Sequence, residues 1–214
     1  MPGYSREAQA LAAYNKSFEY LRTGNQSAAI DVLNEAVSLL KLLVIEDGRL
    51  DLAKKLAIAL SNEASVQFSS EVKLKLYEEM IQLLRTLVVS KGVQDVADSY
   101  AGALANKGKL HAELAGLAKR FKTKGFELHY DLFVRLFEEA VEACEKYVPE
   151  AFKSSQHGLV LMDRAMGWKE LGEGAKAKVD AEQALELVTM ANNAQPTDRT
   201  QGALEYVKAM SKYV

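Results

Sequence analysis

One segment of this chain occurs twice. Asn34–Ala64 aligns without gaps on Glu78–Gly108, 44 residues further on, and twelve of the 31 positions are identical. They are Glu35/Glu79, Leu39/Leu83, Leu40/Leu84, Leu43/Leu87, Val44/Val88, Gly48/Gly92, Asp51/Asp95, Ala53/Ala97, Ala57/Ala101, Ala59/Ala103, Leu60/Leu104 and Asn62/Asn106. Any two amphipathic helices share apolar positions. A glycine, an aspartate and an asparagine in one register mark repetition of a structural unit. A unit this small cannot bury its apolar face alone, so the fold must be one in which neighbouring copies stack.

Within each copy the apolar residues recur at spacings of three and four, which is one face of a helix. Leu33, Ala36, Val37, Leu40 and Val44 form the first stripe; Tyr77, Met80, Ile81, Leu84 and Val88 form the second. Gly48 and Gly92 then interrupt, and each suits the left-handed turn that glycine adopts without steric cost. Asp51 and Asp95 follow in the first turn of the next helix, where the helix dipole favours negative charge. Ala53, Ala57 and Leu60 resume the stripe, as do Ala97, Ala101 and Leu104, and the alanines allow close helix approach. The unit is therefore helix, tight glycine turn, helix. A third copy of the first helix begins at Glu138. There Glu138, Glu139, Val141 and Val148 take the places of Glu78, Glu79, Ile81 and Val88 at a shift of 60, so about 16 residues are inserted, Lys119–Gly125 among them.

The same periodicity predicts helices over 5–23, 25–46, 49–68, 71–90, 93–118, 126–147, 150–172, 174–193 and 198–213, with no sustained strand alternation. The only prolines are Pro2, Pro149 and Pro196, which leaves long stretches free for uninterrupted helix. The expected class is all-α: one domain over 1–214, with helix pairs 5–46, 49–90, 93–147 and 150–193 and a capping helix over 198–213. In that last helix Leu204, Val207 and Met210 are expected inward, with Lys208 and Lys212 in water. A formal net charge of −2 provides no global field for nucleic acid or an anionic membrane. The single cysteine, Cys144, cannot form an internal disulfide. Charged residues within the first 21 positions rule against a secretory signal, and no uncharged apolar run spans a membrane. These readings together give a cytoplasmic protein as the expectation.

Two segments resemble tetratricopeptide repeats. Tyr20, Gly24, Ala29, Leu33 and Ala36 match that family's aromatic, glycine, alanine, large apolar and alanine in order and spacing. Trp168, Gly172, Ala177 and Ala184 match it again, with Ala181 in the large apolar place. The middle copies depart from it: their 44-residue spacing exceeds the family's usual length of about 34. It is nearer to HEAT-type repeats or to tetratricopeptide variants with lengthened helices. The resemblance implies a right-handed α-solenoid of stacked antiparallel pairs, whose first helices line a concave groove.

Family members of this kind clamp peptide ends with asparagine and lysine, which directs attention to Asn15, Lys16, Asn62, Asn106 and Lys107. Asparagine is a poor helix-interior residue because its amide competes with the backbone. Its recurrence at Asn62 and Asn106 reads either as a ladder of amides offered to a peptide main chain or as a bond across the helix pair that fixes its spacing. Tyr14 and Tyr100 are the accompanying aromatics, as groove anchors or as core. The basic run Lys119, Arg120, Lys122 and Lys124 around Phe121 reads as a solvated interhelical loop. The three histidines, His111, His129 and His157, lack the i, i+3 or i, i+4 spacing of a helical metal pair, and Cys144 falls on a core position of its repeat. No phosphate loop, nucleophile elbow or dinucleotide fingerprint is present. The sequence thus predicts a non-enzymatic scaffold that needs no cofactor or metal and binds a partner peptide or helix, not nucleic acid or membrane. Its rival is a self-associating homo-oligomer built through Tyr206, Met210, Tyr213 and Val214.

Overall fold

The structure, a computed structural model, describes residues 5–214; Pro2 lies outside them. All regular structure in these residues is helical: α1 (Arg6–Thr23), α2 (Gln26–Lys41), α3 (Ala53–Val66), α4 (Ser70–Arg85), α5 (Ala97–Phe121), α6 (Phe126–Tyr147), α7 (Glu150–Glu170), α8 (Gly174–Ala194) and α9 (Asp198–Ser211). Successive helices pack against each other, α1 on α2, α3 on α4, α7 on α8 and α8 on α9. They gather into two compact units, one ending at Ser99 and the other spanning Tyr100–Val214, so the division falls in the first turn of α5. Side-chain caps start several helices: Ser5, Asn25 and Ser69 each accept from the backbone N–H three residues on. At α9, Thr197 and Thr200 form a reciprocal capping box.

The sequence repeat is reproduced turn by turn. After α2 the chain widens into a π turn over Leu42–Glu46, bends at Gly48 (φ 70°), and tightens into a 3-10 turn over Leu50–Leu52 that opens α3. After α4 it does the same: a π turn over Thr86–Ser90, Gly92 at φ 67°, and a 3-10 turn over Gln94–Val96 that opens α5. Each π turn keeps the repeat's conserved-register pair inside, Leu43 and Val44 or Leu87 and Val88, and turns the next residue outward: Ile45 is 42% exposed and Val89 50%. The aspartates expected at the start of the following helices sit in the 3-10 turns. Asp51 there serves as an acceptor for Arg49, whose guanidinium also reaches both carboxylate oxygens of Glu7 on α1 at 2.6 and 3.0 Å. These bonds hold Glu7 and Asp51 below the usual carboxylate range and tie α1 to the turn.

The insertion in the third copy lengthens a helix more than a loop. α5 has 25 residues where α3 has 14. The reading of Lys119–Lys124 as a solvated loop is corrected accordingly. Lys119 and Arg120 form the last turn of α5 and reach the end of α7: Lys119 Nζ donates to the Leu171 carbonyl at 2.8 Å, and Arg120 lies 3.4 Å from Glu170. Cations are favoured there because the helix C-terminus carries unpaired carbonyls. Only the residues from Lys122 to Gly125 make the turn, with Lys122 itself left-handed at φ 54°.

The second unit has an aromatic centre and an aliphatic end. Phe133 and Phe137 of α6 are fully buried, and Trp168 of α7 meets Phe133 edge-on with centroids 4.6 Å apart. Cys144 is buried in the same helix. Towards the chain end, Leu161, Met162 and Ala165 of α7 and Ala184 and Val188 of α8 are covered by Ala203 and Val207 of α9. Leu204 and Met210 pack partly against this cluster while Lys208 and Lys212 face water, as the stripe predicts for a capping helix. Arg164 forks onto Asp180 with two bonds of 2.7 Å, joining α7 to α8 through a carboxylate that is 5% exposed.

Candidate functional site

In the second unit a cleft of about 230 Å³ opens between α5, α7 and α9. Of these, α5 and α7 are first helices of successive pairs, which the resemblance expects on the groove, and α9 is the capping helix. Each contributes residues at helical spacing: Lys109, Ala112 and Glu113 from α5; Asp163, Met166, Gly167 and Glu170 from α7; Tyr206 and Met210 from α9. The floor is close-packed because Gly167 has no side chain; a Cβ there would stand 2.4 Å from the Phe133 ring and 3.3 Å from the Ala112 methyl. Gly116 likewise lets the Glu170 side chain lie against α5. Beyond Met166 and Met210 the cleft continues into a wider, open stretch of about 460 Å³ with Arg120, Lys169 and Tyr213 on its rim.

Asp163 organises the closed end. One of its oxygens accepts from Lys109 Nζ at 3.2 Å and from the Tyr206 hydroxyl at 2.9 Å, so a single carboxylate pins α5, α7 and α9. Burial, reinforced by the Asp163 charge, pushes the Tyr206 phenol far above its ordinary range, so it stays a hydrogen-bond donor. Three cations (Lys109, Arg120, Lys169) face three carboxylates (Glu113, Asp163, Glu170) around two flexible methionines. The surface therefore offers an apolar strip flanked by both signs of charge.

The predicted site residues fall in several places. Asn106 is half-buried on α5, and the spacing Asn106, Lys109, Glu113 puts it on the cleft's own stripe, one turn before the closed end. Lys107, beside it, is also half-buried. Tyr100 is only 3% exposed and donates to Glu139 of α6 at 2.6 Å; its ring belongs to the core. In the first unit Asn15 and Lys16 are exposed on α1, with Lys16 Nζ 5.5 Å from the Tyr20 ring centroid. Tyr14 is 9% exposed against the edge of Phe18, and burial raises its phenol. Asn62 is half-buried on α3. Of Tyr206, Met210, Tyr213 and Val214, read from the sequence as a self-association face, Tyr206 and Met210 of α9 line the cleft, and Met210 and Tyr213 line its open stretch. The α7 residues Asp163, Met166 and Glu170 escaped the sequence reading, although their i, i+3, i+7 spacing on the face away from Leu161 and Ala165 is a visible signal.

The fold also pairs two histidines that sequence spacing keeps apart. His111 of α5 and His129 of α6 meet with their Nδ1 atoms 2.9 Å apart. One ring must be neutral to accept this bond. Burial, then the charges of His129 and Lys107, hold His111 down at about 4, and burial lowers His129 too. Among the described residues no group of three or more His, Cys, Asp or Glu side chains is placed to hold a metal ion, and no helix is long and apolar enough to cross a membrane. No family model and no curated protein matches the chain.

Proposed function

We propose that this chain is a tetratricopeptide-like repeat protein, wound as a right-handed superhelix, that acts in the cytoplasm as a scaffold by binding a segment of another protein. The observation that carries the reading is the cleft between α5, α7 and α9, with Met166 and Met210 at its centre. Its closed end is smaller than the roughly 300–1,000 Å³ of a small-molecule pocket, a size suited to one or two inserted side chains. Methionine walls adapt to varied apolar shapes, and the paired charges on both rims orient a segment running along them. The helices present this surface preformed, so the ordering cost falls mostly on the ligand. An affinity near micromolar is expected for a short segment. Asn106 and Lys107 extend the surface along α5; Asn15, Lys16 and Asn62 are assigned the same role in the first unit.

The test is a peptide-display selection on the wild-type protein and on Met210→Glu, with circular dichroism confirming the fold. Enrichment of one motif that vanishes in the variant supports the cleft; enrichment that survives moves the site elsewhere. A second reading, self-association through α9, is favoured by the exposure of Tyr213 at 61%. Light scattering decides it: a monomer at all concentrations removes that reading.

A further inference from the structure

The charges around the cleft between α5, α7 and α9 are not equivalent. Four of them already have partners within the fold. Lys109 meets Asp163 at 3.2 Å, and Asp163 also accepts from Tyr206. Arg120 and Glu170 lie 3.4 Å apart. Glu113 of α5 and Lys169 of α7 are left over. Both are exposed, and neither side chain makes a hydrogen bond or ion pair among the described residues. A ligand can use the paired charges only by competing with bonds already made, whereas Glu113 and Lys169 are available to it without loss.

These two free charges have a fixed order along the surface. Glu113 lines the closed part of the cleft and not the open stretch; Lys169 lines the open stretch and not the closed part. Met166 and Met210 line both. From the closed end outward the surface therefore reads carboxylate, methionines, ammonium. The helices set this order. Lys109 pairs with Asp163 and, further along both helices, Arg120 pairs with Glu170, so α5 and α7 run side by side in one direction. Glu113 follows Lys109 by one turn, and Lys169 follows Met166 by one turn. A segment with the complementary order meets attraction on both sides of the methionines. One with the opposite order meets like charges on both sides, and that repulsion supplies discrimination.

We propose that the partner segment carries a lysine or arginine, then a bulky apolar residue, then an aspartate or glutamate. The apolar residue seats between Met166 and Met210, the cation on Glu113 and the anion on Lys169. The proposal deepens the reading of this cleft as the binding face and rests on it. The probe is a displayed library of random short peptides, selected on the wild-type protein, on Met210→Glu and on the charge-exchanged double variant Glu113→Lys, Lys169→Glu. Circular dichroism verifies the fold of each. The wild-type protein is expected to enrich the stated charge order and the double variant the reverse order. The wild-type peptide, synthesised, is expected to bind the double variant about tenfold more weakly, since two exposed attractions become repulsions. Exchanging the peptide's own charges is expected to restore its affinity. A motif that vanishes in Met210→Glu but keeps one charge order on the wild-type protein and the double variant leaves the cleft as the binding face and overturns this proposal. A motif that survives in Met210→Glu overturns the cleft and the proposal together. No motif on the wild-type protein also overturns the proposal, and dimers in light scattering then assign the cleft to a second copy of the chain.

Discussion

Replacing Gly158 with alanine adds a single methyl group where α7 packs on α8. In an open helix this change is favourable, because alanine exceeds glycine in helix propensity by about 1 kcal/mol. Here the added Cβ would stand 2.6 Å from Val188 Cγ1 and 3.0 Å from the Ala184 carbonyl oxygen. Val188 is fully buried and, being β-branched, is locked at χ1 within a helix. The Ala184 contact is main chain, so the α8 backbone must move. Overpacking of this kind costs about 1–3 kcal/mol, and more when the backbone shifts. The net expectation is a loss of about 2 kcal/mol after the propensity gain is subtracted. Gly202→Ala in α9 is the control: nothing lies within 4 Å of its Cβ, so a gain of about 0.5–1 kcal/mol is expected. Urea unfolding followed by the fluorescence of Trp168, the single tryptophan, reports on the unit that holds both sites. With a slope of about 2 kcal/mol per molar urea, the Gly158 variant's midpoint falls by about 1 M. A midpoint at or above wild type with an unchanged slope would refute the close α7–α8 approach.

Three further outcomes are expected. Arg164→Ala strands the buried Asp180 carboxylate and lowers stability by about 3–5 kcal/mol, most of it recovered in an Arg164→Leu, Asp180→Leu double variant; a loss below about 1 kcal/mol in the same urea assay contradicts the fork. Acidification weakens the fold through His111. Its folded value of about 4 lies below the unfolded value near 6.5, so its contribution is complete above pH 6.5 and disappears as the pH falls towards 4. Allowing for solvent screening, about 2 kcal/mol is lost over that window, and His111→Phe should flatten the urea midpoint against pH; an equally steep profile in the variant assigns the effect elsewhere. Met210→Glu should abolish the selected peptide motif while leaving the helix signal intact.

The contrast between sequence and structure lies in what is local. Helix α6 spans the predicted 126–147, and the left-handed turns at Gly48 and Gly92 stand where the repeat puts them. The cap α9 buries Val207 and exposes Lys208. Each depends on 3.6-residue periodicity and turn chemistry, which a few neighbouring residues encode. The π turns after α2 and α4, which bury Leu43, Val44, Leu87 and Val88, were not legible, because apolar spacing of three and four suits i→i+4 and i→i+5 bonding alike. Tyr14 and Tyr100 showed the limit most directly: an aromatic at helical spacing suits core and groove alike, and only the packing of other helices assigned both rings to the interior.

The sequence by itself determined the repeat, its helices and its glycine turns, since these follow from residues close along the chain. Tertiary structure alone decided that Asp163 would hold Lys109 and Tyr206, that His111 would meet His129, and that Glu63 would be buried with a bare oxygen. Such pairings join residues from different helices, and their energies exist only once the faces that carry them have met.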